Sequence, residues 1–218
     1  MDRREVLKYG LLLVCGGCGQ KQFRLLDELP DPIVHVRSPR RPAPIAAHPT
    51  RPTPKPPVHA AKGWMPARGI SPRWECIVVH HSASDESSPY AMDRYHRDHN
   101  GWDELGYHLV IGNGIAYPDG KVFVGSRWTK QKHGAHCKTP DNFYNDHGIG
   151  ICLIGNFEQS HPTPAQMHSL AQLCHYLTNQ SDISLIQIHT HREITGKTLC
   201  PGRNFRPAEL KARLNALA

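Results

Sequence analysis

The sequence from residue 73 to 218 predicts a single α/β domain in which helices flank a mixed central β-sheet. Two short apolar runs, residues 75–81 and 148–155, have the length and composition of strands that are buried on both faces. Segments with helical periodicity alternate with such runs along the chain. A stretch of about 145 residues is the usual size of one domain with its own core.

Two further strands are predicted between these apolar runs, at residues 107–111 and 121–124. Turn-forming sequences separate them, Gly112-Asn113-Gly114 and Pro118-Asp119-Gly120. We therefore expect these two strands to be neighbours in the sheet. A last β-like run covers residues 183–188 and leads directly into a histidine-rich segment.

Three helices are predicted around this sheet. The clearest begins at Thr163-Pro164-Ala165-Gln166, where Thr163 is an N-cap, Pro164 takes the first helical position and Gln166 completes a capping box. Apolar residues then fall on one face of this helix, which should lie against the sheet: Met167, Leu170, Ala171, Cys174 and Leu177. The other two helices begin at Ser88-Pro89 and at Pro207.

Residues 1–18 have the features of an export signal. Arg3-Arg4 precedes a short apolar run, residues 11–14, which is too short to span a bilayer. The start resembles the core of a twin-arginine signal, and Gly16-Gly17-Cys18 resembles a lipoprotein processing site. An ordinary cleaved secretory signal fits the same residues, and both interpretations predict the periplasm or cell envelope. If Cys18 carries a lipid, the glycine behind it points to the outer membrane.

Residues 19–72 are predicted to be a disordered, proline-rich tether, because ten of the nineteen prolines lie between residues 29 and 57. Residues 33–74 hold eight Lys or Arg and no acidic residue, whereas residues 75–218 hold thirteen against fourteen Asp or Glu. The formal charge of +7 therefore belongs to the tether. The basic tether is expected either to bind an anionic envelope surface or to act only as a soluble spacer. Nucleic acid is disfavoured, because aromatic residues are not interleaved with the basic ones.

The residues from His191 to Cys200 contain part of a predicted metal site. His191 follows the last β-like run, and Cys200 stands at a Cys-Pro-Gly turn. Catalytic zinc takes about three protein ligands of His or Cys type and keeps one open position. His80 and His81 end a predicted strand and must face opposite ways, so only one of them can complete the site. Spacing alone leaves His80, His81 and His189 open.

Eight short motifs occur in the order found in the zinc-dependent N-acetylmuramoyl-L-alanine amidases, which the chain resembles from residue 74 to about 205. This family includes phage amidases and the peptidoglycan-recognition proteins. The motifs are Val79-His80-His81-Ser82-Ala83, Leu105-Gly106-Tyr107-His108, Gly134-Ala135-His136, Asn145-Asp146-His147-Gly148-Ile149-Gly150, Gly155-Asn156-Phe157, Thr163-Pro164-Ala165-Gln166, His191-Arg192-Glu193 and Thr198-Leu199-Cys200-Pro201-Gly202.

The resemblance implies which residues carry the chemistry. Matched residue by residue, His80, His191 and Cys200 are the Zn²⁺ ligands, and Tyr107 is the active-site tyrosine. A further group that stabilises the oxyanion is expected just before Cys200, where either Lys197 or Thr198 fits the family position. Glu193 lies close to these ligands in sequence and is expected to support a ligand or to have a structural role.

The resemblance also implies the substrate, which is the amide bond between N-acetylmuramic acid and L-alanine in peptidoglycan or its muropeptide fragments. His136 and Asn145 match positions that line the binding groove. Arg127 and Trp128 match a weaker motif and are expected to hold carboxylates of the stem peptide or a sugar ring.

Two other functions fit the same residues less well. The first is a recognition module that binds peptidoglycan without cleaving it, although non-enzymatic members of the family have typically lost the cysteine that this chain keeps as Cys200. The second is a thiol hydrolase with Cys200 as nucleophile and His191 as its base.

The remaining cysteines of the domain lie in apolar segments. Cys76, Cys152 and Cys174 are predicted to be buried as small hydrophobic side chains. Export permits a disulfide, in which Cys137 would pair with one of them.

Overall fold

The computed structural model describes residues 63–217. The predicted export signal, the predicted lipid site at Cys18 and residues 19–62 of the predicted tether lie outside the described residues. The predicted boundary at residue 73 is too late, because Trp64 is buried in the hydrophobic core of the domain and Ile70 packs against it. None of the helices within residues 63–217 is both long enough and apolar enough to cross a bilayer.

A mixed five-stranded sheet forms the centre of the domain, as the sequence predicts. Its strands are β1 (Cys76–His81), β2 (Leu109–Ile111), β3 (Val122–Val124), β4 (Gly148–Leu153) and β5 (Ile188–Thr190), in the spatial order β3-β2-β4-β1-β5. The pairs β1 with β4, β1 with β5 and β2 with β4 are parallel, and β2 with β3 is antiparallel. The carboxyl ends of β1, β2, β4 and β5 therefore meet at one edge of the sheet.

Six helices surround the sheet. They are α1 (Pro89–Asp98), α2 (Ser126–Thr129), α3 (Phe143–Asp146), α4 (Pro164–Gln180), α5 (His191–Thr195) and α6 (Pro207–Asn215). The predicted start of α4 is confirmed, because the Thr163 side chain accepts from the backbone N–H of Gln166 and the Gln166 side chain accepts from that of Thr163. The three short helices α2, α3 and α5 are not predicted by the sequence pattern.

The two faces of the sheet carry different neighbours. Ile77 and Val79 of β1 belong to the main core, which also contains buried residues of α4 and α6 such as Leu170 and Leu210. Cys76 and Val78 face the other way, into a smaller cluster. Because side chains alternate along a strand, the face opposite α4 and α6 is where the even-numbered residues of β1 lie.

The last predicted strand starts later than its apolar pattern suggests. Residues 185–187 form a single 3-10 turn instead, and β5 begins at Ile188. Ser184 caps this turn, because its backbone N–H donates to Oε1 of Gln187 at 2.7 Å. A polar capping pair therefore overrides the local β preference of the isoleucines.

The five described cysteines, Cys76, Cys137, Cys152, Cys174 and Cys200, are free and buried. The burial predicted for Cys76, Cys152 and Cys174 is confirmed. The alternative of a disulfide between Cys137 and another of them is not what this structure shows.

Candidate metal centre

Strand alternation decides between the two histidines at the end of β1. His80 has the same parity as Cys76 and Val78, and only 1% of its surface is exposed. His81 faces the main core instead, where its Nδ1 accepts the backbone N–H of Phe157 at 3.2 Å. His80 is therefore the histidine that faces the second side of the sheet.

His191 is positioned by the junction between β5 and α5. Thr190 caps α5: its Oγ1 accepts the backbone N–H of Glu193 at 3.3 Å, and Oε2 of Glu193 accepts the backbone N–H of Thr190 at 2.7 Å. His191 is thereby fixed as the first residue of the helix. The role of Glu193 is structural, because its carboxylate completes this capping box.

The loop that carries Cys200 is hydrogen-bonded to α5 and to the end of β1. The backbone N–H of Cys200 donates to Oγ1 of Thr198 at 3.1 Å, and its carbonyl accepts the N–H of Arg192 at 2.9 Å. Its Sγ accepts the backbone N–H of His81 at 3.4 Å. These contacts direct the sulfur towards the end of β1.

Together, His80, His191 and Cys200 form a group whose ligand atoms all lie within 4.8 Å of one another. Nδ1 of His80 is 3.6 Å from Sγ of Cys200, and the two imidazole ring centres are 4.7 Å apart. Within residues 63–217, neither His81 nor His189 belongs to such a group. Two imidazole nitrogens and one thiolate are a donor set that fits a catalytic zinc ion, which takes three protein ligands and leaves the fourth position for water or substrate.

The protonation states of the two histidines also fit a metal site. Burial lowers the pKa of His80 well below its usual value and lowers that of His191, so both rings are neutral and offer a lone pair at pH 7. Burial raises the pKa of the Cys200 thiol to about 12. The thiolate is the nucleophilic form, so a thiol with this pKa is a poor nucleophile without a bound cation.

Tyr107 precedes β2 and lies next to the group formed by His80, His191 and Cys200, called the ligand cluster below. Its ring centre is 5.2 Å from that of His80. Burial, followed by the nearby Cys152 and Cys200 side chains, raises the pKa of Tyr107 well above its usual value. The phenol therefore stays protonated and remains a hydrogen-bond donor.

Of Lys197 and Thr198, only Thr198 forms a side-chain hydrogen bond with Cys200. Its Oγ1 accepts from Cys200, which leaves its hydroxyl hydrogen free to donate elsewhere. Lys197 is exposed, and its backbone N–H donates to Oγ1 of Thr195 at 3.4 Å.

His136 and Asn145 border a groove of about 380 Å³ beside the cluster. Both ring nitrogens of His136 lie within hydrogen-bonding distance of protein atoms, at His80 and Gly148. Oδ1 of Asn145 accepts the backbone N–H groups of His136 and Cys137, both at 2.8 Å. These polar atoms therefore hold the groove in shape. Both residues line it, as predicted, and their contact with substrate stays a prediction.

Arg127 and Trp128 are not in the groove, which corrects the prediction that they contact substrate. Arg127 is 2% exposed and donates to the carbonyls of Leu105 and His133, both at 2.7 Å, and to Asp103 at 2.6 Å. Trp128 has no exposed surface, and its Nε1–H donates to the Trp64 carbonyl at 2.7 Å. Neither side chain reaches a molecule that binds from solvent.

This structural role of Arg127 predicts the effect of Arg127→Lys. A lysine keeps the charge but cannot make all three directed hydrogen bonds, so we expect a loss of about 2 to 3 kcal/mol in unfolding free energy. KM of the folded protein should stay unchanged. Urea unfolding and steady-state kinetics measure the two quantities, with the exposed Arg94→Lys as control. A raised KM at unchanged stability would restore the substrate-binding interpretation.

The sequence pattern missed the role of His108 and the composition of the groove. Nδ1 of His108 accepts the backbone N–H of Gly150 and its Nε2 donates to the Lys132 carbonyl, both at 2.9 Å. Burial lowers the pKa of His108 to about 3, so the ring is neutral. Trp102, His133 and Lys138 also line the groove. With sixteen histidines in the chain, no spacing signal singled these residues out.

Comparisons with known proteins show the family to which the chain belongs. The family described as N-acetylmuramoyl-L-alanine amidase matches residues 71–203. The Drosophila simulans peptidoglycan-recognition protein SC2 is 32% identical over 137 residues, which cover 59% of this chain and 68% of that protein. An N-acetylmuramoyl-L-alanine amidase of Sus scrofa is 33% identical over 117 residues, which cover 51% of this chain and 17% of that protein.

A solved structure shows the same architecture. The N-acetylmuramoyl-L-alanine amidase LysC from Clostridium intestinale URNW is 32% identical, with a TM-score of 0.56 over 67% of this chain and 89% of that one. The family match extends over the segments that supply His80, His191 and Cys200. The chain belongs to the N-acetylmuramoyl-L-alanine amidase family.

Proposed function

We propose that this protein is a zinc-dependent amidase that hydrolyses the bond between N-acetylmuramic acid and L-alanine in peptidoglycan or its fragments. The observation that carries the proposal is the group formed by His80, His191 and Cys200, whose ligand atoms lie within 4.8 Å of one another. Relatives in this family include both amidases and recognition proteins. A complete donor set supports cleavage over binding alone.

The three ligand side chains have distinct tasks in this proposal. His80 and His191 supply neutral nitrogen donors, and Cys200 supplies the negative charge once its thiol proton has left. Zinc in such a site supplies Lewis-acid polarisation of the scissile carbonyl and lowers the pKa of the attacking water. The groove lined by Trp102, His136 and Lys138 would hold part of the sugar or peptide, because His136 contacts the ligand His80.

Tyr107 and Thr198 supply the remaining chemistry. As the carbonyl oxygen gains charge, the protonated phenol of Tyr107 donates a hydrogen bond to it, and the Thr198 hydroxyl is the second donor. The leaving amine needs a proton before it departs. Within residues 63–217, no carboxylate joins the ligand group, so Tyr107 is our candidate for passing that proton.

Digestion of purified muropeptides by the full chain tests the function, with mass spectrometry of the products before and after chelation and zinc add-back. We expect free stem peptide and peptide-free sugar to appear only when zinc is present. Binding to sacculi without any cleavage by the zinc-loaded protein would favour a recognition module. Cleavage that survives chelation and stops on alkylation would favour a thiol hydrolase.

We also propose that the protein acts in the periplasm or cell envelope, anchored to the outer membrane through a lipid on Cys18. Cys18→Ser should move the protein from the membrane fraction to the soluble periplasmic fraction, as followed by fractionation and immunoblotting. The neighbouring Cys15→Ser variant is the control and should stay with the membrane. Membrane association of Cys18→Ser would rule out the lipid anchor.

A further inference from the structure

We propose that His136 is a positioning residue that sets the tautomer of His80, so that Nδ1 of His80 is free to bind the metal. The inference rests on the proposed metal site and not on any particular substrate. It follows from a chain of hydrogen bonds that begins at a backbone carbonyl and ends at the metal ligand.

The first step is the protonation of the His136 ring. Its Nε2 lies 3.2 Å from the carbonyl oxygen of Gly148. A carbonyl can only accept, so Nε2 of His136 carries the hydrogen and donates it. A neutral imidazole carries a single N–H hydrogen. Nδ1 of His136 is therefore an acceptor.

The second step transfers this constraint to His80. Nε2 of His80 lies 3.1 Å from Nδ1 of His136. Because Nδ1 of His136 accepts, Nε2 of His80 must donate, and the hydrogen of the neutral His80 ring is thereby placed on Nε2. Its lone pair is then on Nδ1, the atom that lies 3.6 Å from Sγ of Cys200. The hydrogen bond to the Gly148 carbonyl thus determines that Nδ1 of His80 keeps its lone pair and can bind a metal ion.

Two glycines and an asparagine hold the His136 ring in place. A Cβ on Gly150 would stand 2.4 Å from Cδ2 of His136, and a Cβ on Gly134 would stand at the same distance. Either side chain would displace the ring, so both positions require glycine. Asn145 adds a third restraint, because its Oδ1 accepts the backbone N–H of His136 at 2.8 Å. Such restraints suit a ring that must keep a fixed orientation.

Histidine ligands of metals usually donate their second N–H to a carboxylate, a carbonyl or water, and losing that partner typically costs about 10- to 100-fold in metal affinity. In this protein the imidazole of His136 accepts that hydrogen bond from His80. This role also accounts for a histidine that is 8% exposed and has both ring nitrogens paired at the edge of a binding groove.

Two isosteric substitutions separate the two hydrogen bonds of His136. The amide of His136→Asn places its oxygen where Nδ1 stands and can still accept from His80. The amide of His136→Gln reaches the Nε2 position near Gly148 but offers nothing to His80. We expect His136→Asn to keep zinc affinity within about threefold of the wild type and His136→Gln to lose about 10- to 100-fold, in competition with a chromophoric chelator.

The tautomer itself provides a readout that does not depend on activity. In the metal-free full chain labelled with ¹⁵N-histidine, His80 should show the Nε2–H tautomer in the wild type and in His136→Asn, and a mixture in His136→Gln. Thermal unfolding of the metal-free variants is the control, because a merely structural role would lower the stability of both without separating their zinc affinities.

Equal zinc affinity of the Asn and Gln variants, or an Nδ1–H tautomer of His80 in the wild type, would overturn the inference. A wild-type chain that does not bind zinc would overturn it too. The amidase proposal fails separately: a protein that binds zinc in the predicted order of affinities but cleaves no muropeptide contradicts the proposed function and still supports the role of His136.

Discussion

Replacing Cys200 by Ala should abolish cleavage, with a loss on the order of a thousandfold or more in kcat/KM, because it removes one of the three proposed zinc ligands and the only anionic one. Two neutral imidazoles alone cannot balance the charge of the ion in a site where Cys200 is 9% exposed and His80 is 1% exposed. Zinc content after gel filtration and the rate of muropeptide hydrolysis measure the two consequences together.

Cys200→Asp separates a metal ligand from a thiol nucleophile. Aspartate is an accepted zinc ligand, so this variant should recover part of the zinc binding and of the cleavage that Cys200→Ala loses. A thiol hydrolase would be inactive in both variants. Cys174→Ala is the matched control, since Cys174 is a fully buried cysteine of α4 that belongs to the main core. Full zinc-dependent cleavage by Cys200→Ala would contradict the proposed ligand set.

The choice of His80 as a ligand shows what strand periodicity predicts and what it does not. Alternation requires His80 and His81 to face opposite ways, and the buried pattern of β1 shows that both faces are covered. The sequence could not say which face carries the site, because that depends on which helices cover each side. The family resemblance selected His80. The structure gives the physical reason: α4 and α6 cover the other face of the sheet, so the site lies on the face of His80.

Arg127 and Trp128 show where motif matching fails. Their predicted role came only from the resemblance of Gly125-Ser126-Arg127-Trp128 to a family motif. Their burial depends on partners distant in sequence, Asp103 and Trp64, which no local pattern identifies. His136 illustrates the same limit, since its contacts with His80 and Gly148 exist only once β1 and β4 pair. A motif match can therefore place a residue at the groove without revealing which protein atoms it contacts there.

Tyr107→Phe should lower kcat by about 10²- to 10³-fold, the usual cost of removing one donor to a developing oxyanion. The ring remains to pack against His80, whose ring centre is 5.2 Å away, so KM and zinc affinity should change little. Steady-state kinetics on a defined muropeptide and chelator competition measure these quantities. The control is Tyr117→Phe, which removes a phenol outside the ligand cluster.

The pH dependence of the wild type provides a second test of the same residue. Because burial raises the pKa of Tyr107 well above its usual value, the phenol keeps its proton through the alkaline range in which an exposed tyrosine ionises. The contribution of Tyr107, measured as the ratio of wild-type to Tyr107→Phe kcat, should therefore stay constant from neutral pH up to about pH 10. A ratio that falls towards one below that pH would show that the phenol ionises early, and Tyr107 could then not be the donor that stabilises the oxyanion.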